Sequence, residues 1–261
     1  MQSFARPVTL VLMRRRYGWL GLVLAGCVAA GPWGKRDLEY DWAKNVLMGA
    51  EIGDDRGAVV RWQQPARYLV VSAPPRLRQA VNAAFSLLQE ALRGSLEMEI
   101  EHVFSGDKRI GCEGYITLFA IAPCDAGALA QQHGAQVPQA DADGWFTIAW
   151  NRSFELTRAV VFVAPDLTDK WLRHTALEEM FQALGPSNDS AMIKDSLLFE
   201  SSTTAGSHGH LARVDRQVLR LLYQSLQPGD RAGEIEQAMH RSWDFADDVI
   251  RAQVELARPG A

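Results

Sequence analysis

His174-Thr-Ala-Leu-Glu-Glu-Met-Phe-Gln-Ala-Leu-Gly-Pro-Ser-Asn-Asp189 decides how this chain is read. Thr168 or Asp169 offers an N-cap just upstream, and Gly185-Pro186 is a helix stop. A helix running to about Leu184 is expected. His174, Glu178 and Gln182 recur every four residues and so share one of its faces. Glu178 and Glu179 are neighbours and point about 100° apart, poor geometry for a paired acid and base.

Upstream of this helix the pattern alternates between strands and one further helix. Val59–Trp62, Tyr68–Ser72, Met98–Phe104, Gly114–Ile121, Trp145–Trp150 and Arg158–Ala164 read as strands. Leu77, Val81, Ala84, Phe85, Leu88 and Leu92 have helical spacing over Arg76–Arg93, ahead of Gly94. Asp125 to Asp143 is polar and Ala/Gln-rich and reads as an excursion. Downstream, Val214–Leu226 and Ile235–Leu256 read as helices. The order predicts an α+β single domain: a mixed sheet packed on the 174–184 helix, with C-terminal helices.

With 48% hydrophobic and 22% charged residues among 261, the chain can bury one sizeable core, and disorder, collagen and repeat arrays are excluded. The balance of 27 basic to 31 acidic residues argues against a nucleic-acid partner. No nucleophile elbow and no phosphate-binding glycine loop occurs, and no cofactor is expected.

The amino terminus has the parts of a secretory signal: Arg14-Arg15-Arg16, the apolar run Tyr17–Leu24 and small residues before Cys27. The run is short for a membrane span. Met13, directly before the arginines, is a second candidate start, which would leave residues 1–12 untranslated. Leu24-Ala25-Gly26-Cys27 resembles the bacterial lipobox, which implies lipid on Cys27 and removal of residues 1–26. The organisation expected is thus a signal peptide over 1–26, a lipid-anchored tether over 27–56 and a folded domain over 57–261. Such a protein faces the periplasm, with the membrane as a partner through its lipid. Val28, not being acidic, points by analogy to the outer membrane. In that oxidising compartment Cys112 and Cys124, on either side of a strand, are candidates for a disulfide.

The 174–189 stretch resembles the active-site helix of metzincin zinc proteases, which carry two His one turn apart, a Glu beside the first, a Gly three residues past the second and a third His after the turn. In that spacing Glu178 stands at the first ligand position, Glu179 at the general base, Gln182 at the second ligand, Gly185 at the turn and Asn188 at the third, with Asp189 next. Asp195–Glu200 falls where the Met-turn is expected, and Leu211–Tyr223 resembles the helix after it. The stretch also resembles an uncharacterised bacterial family of secreted proteins that shares Glu-Glu-x-x-Gln-x-Leu-Gly-x-x-Asn-Asp. The resemblance implies a metzincin- or zincin-like fold.

The chemistry departs from that pattern. Zinc catalysis wants neutral imidazoles and an open position for water, and here one carboxylate and two carboxamides replace all three histidines. Three readings of the polar face stand. Glu178, Gln182 and Asn188 form a hydrogen-bonded staple; or, with Asp189 and His174, they hold a hard cation through oxygen; or Glu179 with Asp189 or Asp195 forms a metal-free hydrolytic site. His208-Gly-His210 is a close histidine pair in a Ser/Thr/Gly-rich loop, whereas His102, His133 and His240 have no neighbour at ligand spacing. The expectation is a pseudoenzyme whose cleft binds an envelope polypeptide or cell-wall component. The alternative is a peptidase-like hydrolase around Glu179.

Overall fold

The computed structural model describes residues 8–13, 35–49, 56–121, 125–134, 142–199 and 209–244. They form β1 (Val8–Met13), α1 (Lys35–Met48), β2 (Ala66–Val71), α2 (Pro75–Ala91), β3 (Met98–Val103), β4 (Tyr115–Ala120), α3 (Ala126–Gln132), β5 (Gly144–Trp150), β6 (Leu156–Val163), α4 (Asp169–Gln182), α5 (Arg213–Arg220) and α6 (Ala232–Ser242). A π-helical turn, Leu221–Ser225, extends α5. The architecture is α+β, as the element order predicts.

Strands β2 to β6 make a mixed sheet in the order β5-β6-β4-β2-β3, and β1 lies along the outer edge of β5. β2, β3, β4 and β6 run parallel to one another, while β5 is antiparallel to β6 and β1 antiparallel to β5. β-branched and aromatic residues dominate β2, β5 and β6, and each of these strands is buried over most of its length.

Alternation along the strands splits the core into two layers. Tyr68, Val70, Ile116, Leu118, Phe146, Ile148 and Val161 meet α2, α4 and the C-terminal helices in the larger layer. Leu69, Val71, Phe119, Trp145, Val160 and Phe162 face the other way, against α3. There the rings of Trp145 and Phe162 stack at 4.2 Å and those of Phe162 and Phe119 at 5.5 Å.

Four segments differ from their sequence reading. The stretch read as a tether contains α1, whose Trp42, Ala43, Val46 and Leu47 are fully buried in the main core. Asp125 to Asp143 contains α3, whose small Ala126 and Ala130 lie flat on the sheet. Val59–Trp62 is not a strand of the sheet. Its backbone bonds go instead to the 229–230 turn, with Val59 N–H on the Asp230 carbonyl at 2.8 Å and Gly229 N–H on the Val59 carbonyl at 2.9 Å, and Arg61 makes an isolated bridge to Glu155. The last helix stops at Ser242, where Trp243 turns extended and buries its ring on Trp42.

Candidate functional site

From His174 to Gln182 every residue of α4 is buried. Leu172, Ala176, Leu177, Met180 and Phe181 supply the apolar contacts, so the polar side chains between them must find partners inside the protein. His174 Nε2 lies 3.1 Å from Glu178 Oε2, one turn along, and both side chains are sealed from solvent. Gln182 donates from Nε2 to Asp189 Oδ1 at 2.9 Å, tying the helix to the turn that follows it. Asn188 donates from Nδ2 to Asn45 Oδ1 at 2.9 Å, reaching across to α1. Gly49 makes room for this contact, because a Cβ there would fall 2.7 Å from Asn188 Nδ2.

Glu179 points elsewhere. Its carboxylate lies against the first residue of β5, where a Cβ on Gly144 would sit 2.8 Å from Glu179 Oε1 and 2.4 Å from Thr175 Cγ2. Only glycine allows the strand to approach the helix this closely. The hydrogen bonds described for Glu178, Gln182 and Asn188 thus lead to three different partners, while Glu179 packs on the sheet. Asp195, offered as a second acid for Glu179, is exposed whereas Glu179 is buried.

The C-terminal end of α4 closes with backbone bonds from Leu184 N–H to the Phe181 carbonyl and from Gly185 N–H to the Gln182 carbonyl, both at 3.0 Å, and side chains take further carbonyls there. Tyr68 Oη donates to the Met180 carbonyl at 2.9 Å, Trp62 Nε1 to Ala183 at 3.0 Å and Tyr223 Oη to Leu184 at 2.7 Å, and the Arg56 guanidinium donates to Gly185 at 3.2 Å. Burial pushes the Tyr68 and Tyr223 phenols up from their ordinary value, so both remain O–H donors.

Asp215 fixes the segment placed at the Met-turn position. Fully buried, its carboxylate accepts from Ser196 Oγ at 2.7 Å, from Leu197 N–H at 2.9 Å and from Ala212 N–H at 2.7 Å. This draws the 195–199 turn and the start of α5 together and lowers Leu197 and Leu198 into the core. Asn45, Gly144, Tyr68, Trp62, Tyr223, Arg56 and Asp215 were not singled out by the sequence. Their partners lie far along the chain, and no local motif marks them.

The donor set does not fit zinc. A carboxylate in contact with a buried imidazole and two carboxamides that already donate to Asp189 and Asn45 offer poor ligands. Cys112 is exposed, its thiol donating to the Lys108 carbonyl at 3.2 Å. Cys27, Cys124 and His208 lie outside the described residues, and His210 is exposed. No helix among the described residues is long and apolar enough to cross a membrane.

No curated protein matches the chain at a significant level. A family model described as a protein of unknown function, DUF2927, matches residues 37–241, which spans all the elements from α1 to α6 apart from their outermost residues. The chain belongs to the DUF2927 family.

Proposed function

We propose that this protein is a cell-envelope lipoprotein, anchored through Cys27 and facing the periplasm, whose metzincin-like domain acts by binding and not by catalysis. The observation that carries the non-catalytic reading is the fate of the ligand positions: Glu178, Gln182 and Asn188 engage His174, Asp189 and Asn45 in turn. Side chains committed to three separate internal partners act as fasteners of helix, turn and α1. The metzincin relationship is supported by the spacing of α4, by the mixed sheet beneath it, and by Asp215 holding a turn where the Met-turn is expected.

The ligand class is an extended polypeptide, taken along the β5 edge. Val8–Met13 lies there antiparallel over six residues, from Val8 opposite Trp150 to Met13 opposite Trp145. Removal of residues 1–26 with the signal would leave that edge open to another chain, giving strand addition beside α4.

The test uses the protein secreted with Cys27→Ser and without a histidine tag. Elemental analysis is expected to find no stoichiometric metal, and amide exchange along β5 is expected to slow when a synthetic peptide of the Val8–Met13 sequence is added. A stoichiometric metal lost in both Glu178→Ala and Gln182→Ala would overturn the non-catalytic reading. Unchanged exchange along β5 would overturn the polypeptide edge.

A further inference from the structure

A second feature lies on the opposite side of the sheet from α4. Beyond the carboxyl ends of β2, β3 and β4 the structure opens a cavity of about 400 Å³, lined among others by Ser72, Asp107, Ile110, Phe119, Leu129 and His133. Open parallel sheets bind ligands at this end of their strands, and the volume is that of a small-molecule site. Leu129 and Gln132 of α3, with His133 at its end, form one side of the cavity. Ala126 and Ala130 of the same helix lie in the cluster with Phe119, Phe162 and Trp145.

The walls are set in place by specific contacts. His133 lies tilted over Phe119, with ring centroids 5.1 Å apart. Gly111, at φ +73°, lets the preceding turn close over it, since a Cβ there would fall 2.3 Å from His133 Nδ1. Together the two rings form an aromatic wall, their planes 35° apart. Burial, and next the Arg158 charge, hold the His133 pKa below its ordinary value, so the imidazole is neutral near pH 7.

The rim carries the opposite character. Asp107 is held in place by Arg109, whose backbone N–H and Nε meet Oδ1 at 2.9 and 3.0 Å and whose terminal nitrogen meets Oδ2 at 2.7 Å. Arg109 also makes two bonds to Glu101, at 2.7 and 2.8 Å. The trio has two carboxylates and one cation, so it is net negative, and the described lining contains no Lys or Arg. Ser72 enters the cavity at φ +45°, a left-handed conformation unusual for a side-chain-bearing residue and typical of functional clefts. Phe104, 70% exposed, stands beside Ser105 at the mouth.

We propose that this cavity binds a small arylalkylamine, its ring against the Phe119–His133 wall and its ammonium at the Asp107 rim, and that it rejects carboxylate analogues of the same shape. The ring gains burial and stacking. The ammonium meets the net negative charge of the Asp107–Arg109–Glu101 trio, while Arg109 and Arg158 act on Asp107 and His133 from outside the described lining.

The test titrates isotope-labelled Cys27→Ser protein with tyramine and with 4-hydroxyphenylacetate, which share a ring and differ in charge. Tyramine is expected to shift the amides of Ser72, Gly106 and Ile121 with a Kd on the order of 1 mM, typical of a ligand of this size. The acid is expected to bind at least about tenfold more weakly. Asp107→Asn should erase that difference, and Ser105→Trp, which fills the mouth, should abolish both titrations. Should Asp107→Asn not fold, salt makes the same distinction in the unaltered protein, because screening weakens tyramine and leaves the acid no worse. The proposal is overturned if tyramine leaves these amides unmoved at ten times the expected Kd, if both compounds bind alike, or if Ser105→Trp binds as the parent does.

Discussion

The two faces of the sheet are built from the same strands and closed in different ways. On the α4 face, Tyr68, Phe146 and Val161 meet several helices, and the polar side chains there are tied into contacts that span the chain, such as Asn45 with Asn188. On the α3 face, among the described residues, a stack of aromatic rings lies under one short helix and a cavity lies at the strand ends. The face with more buried polar groups is the more tightly closed. Where the sequence carries the 178–188 spacing the side chains are buried and paired inside the protein, and a cavity is found where the sequence carries no motif.

The largest effect that can break this contrast is at the buried His174–Glu178 contact. Glu178→Ala leaves His174 without the carboxylate it meets at 3.1 Å and is expected to cost about 3–5 kcal/mol in urea denaturation. Replacing both partners with apolar residues, His174→Leu with Glu178→Met, should recover most of that loss. A mild Glu178→Ala phenotype would mean that the α4 face is not closed as described.

Next in size is the contact between strand and helix. Gly144→Ala places a methyl group 2.4 Å from Thr175 Cγ2 and is expected to destabilise by about 1–3 kcal/mol, partly relieved by Thr175→Ser. Thermal melts of the single and double variants measure the coupling. On the open face the sign reverses. Ser72→Gly removes a left-handed strain at φ +45° and should raise stability by up to about 1 kcal/mol.

The smallest expected effect is pH-dependent and confined to the α3 face. Because the folded protein holds His133 below the ordinary imidazole pKa, the unfolded chain takes up the proton first as pH falls. The stability due to neutral His133 is therefore complete above the ordinary imidazole range. It declines as pH drops through that range toward the folded value. Amide exchange should rise in α3 and β4 over this window, and His133→Gln should remove the rise.

Much of the scaffold could be read from spacing alone. The Leu77-to-Leu92 periodicity marked α2, and the Thr168 cap with the Gly185 stop bounded α4. α1 escaped because its buried stripe, Trp42, Ala43, Val46 and Leu47, is interrupted by charged and polar residues on the outer side. α3 escaped because alanines, not large apolar residues, make its contact. Val59–Trp62 alternates like a strand, yet its hydrogen-bonding groups are taken by a turn some 170 residues away. At the site, the helix was legible from its periodicity and its Gly185 stop. Neither said anything of Asn45 or Gly144, whose meaning arises only when distant segments meet. The cavity at His133 left no trace in the sequence, since shape is not a local property of the chain.

α1 and the last described residues lock together: the Trp42 and Trp243 rings meet at 6.5 Å, Glu39 accepts from Trp243 Nε1 at 2.7 Å, and Tyr40 donates to the Ala232 carbonyl at 3.3 Å. A ribosome releases α1 long before it releases Trp243. Through most of synthesis Trp42 and its buried neighbours have nothing to cover them, and the closing contacts are among the longest-range the described chain makes, a topology that slows folding and prolongs exposure of apolar surface. Truncation near residue 240 should therefore harm folding yield far more than the few contacts removed would suggest.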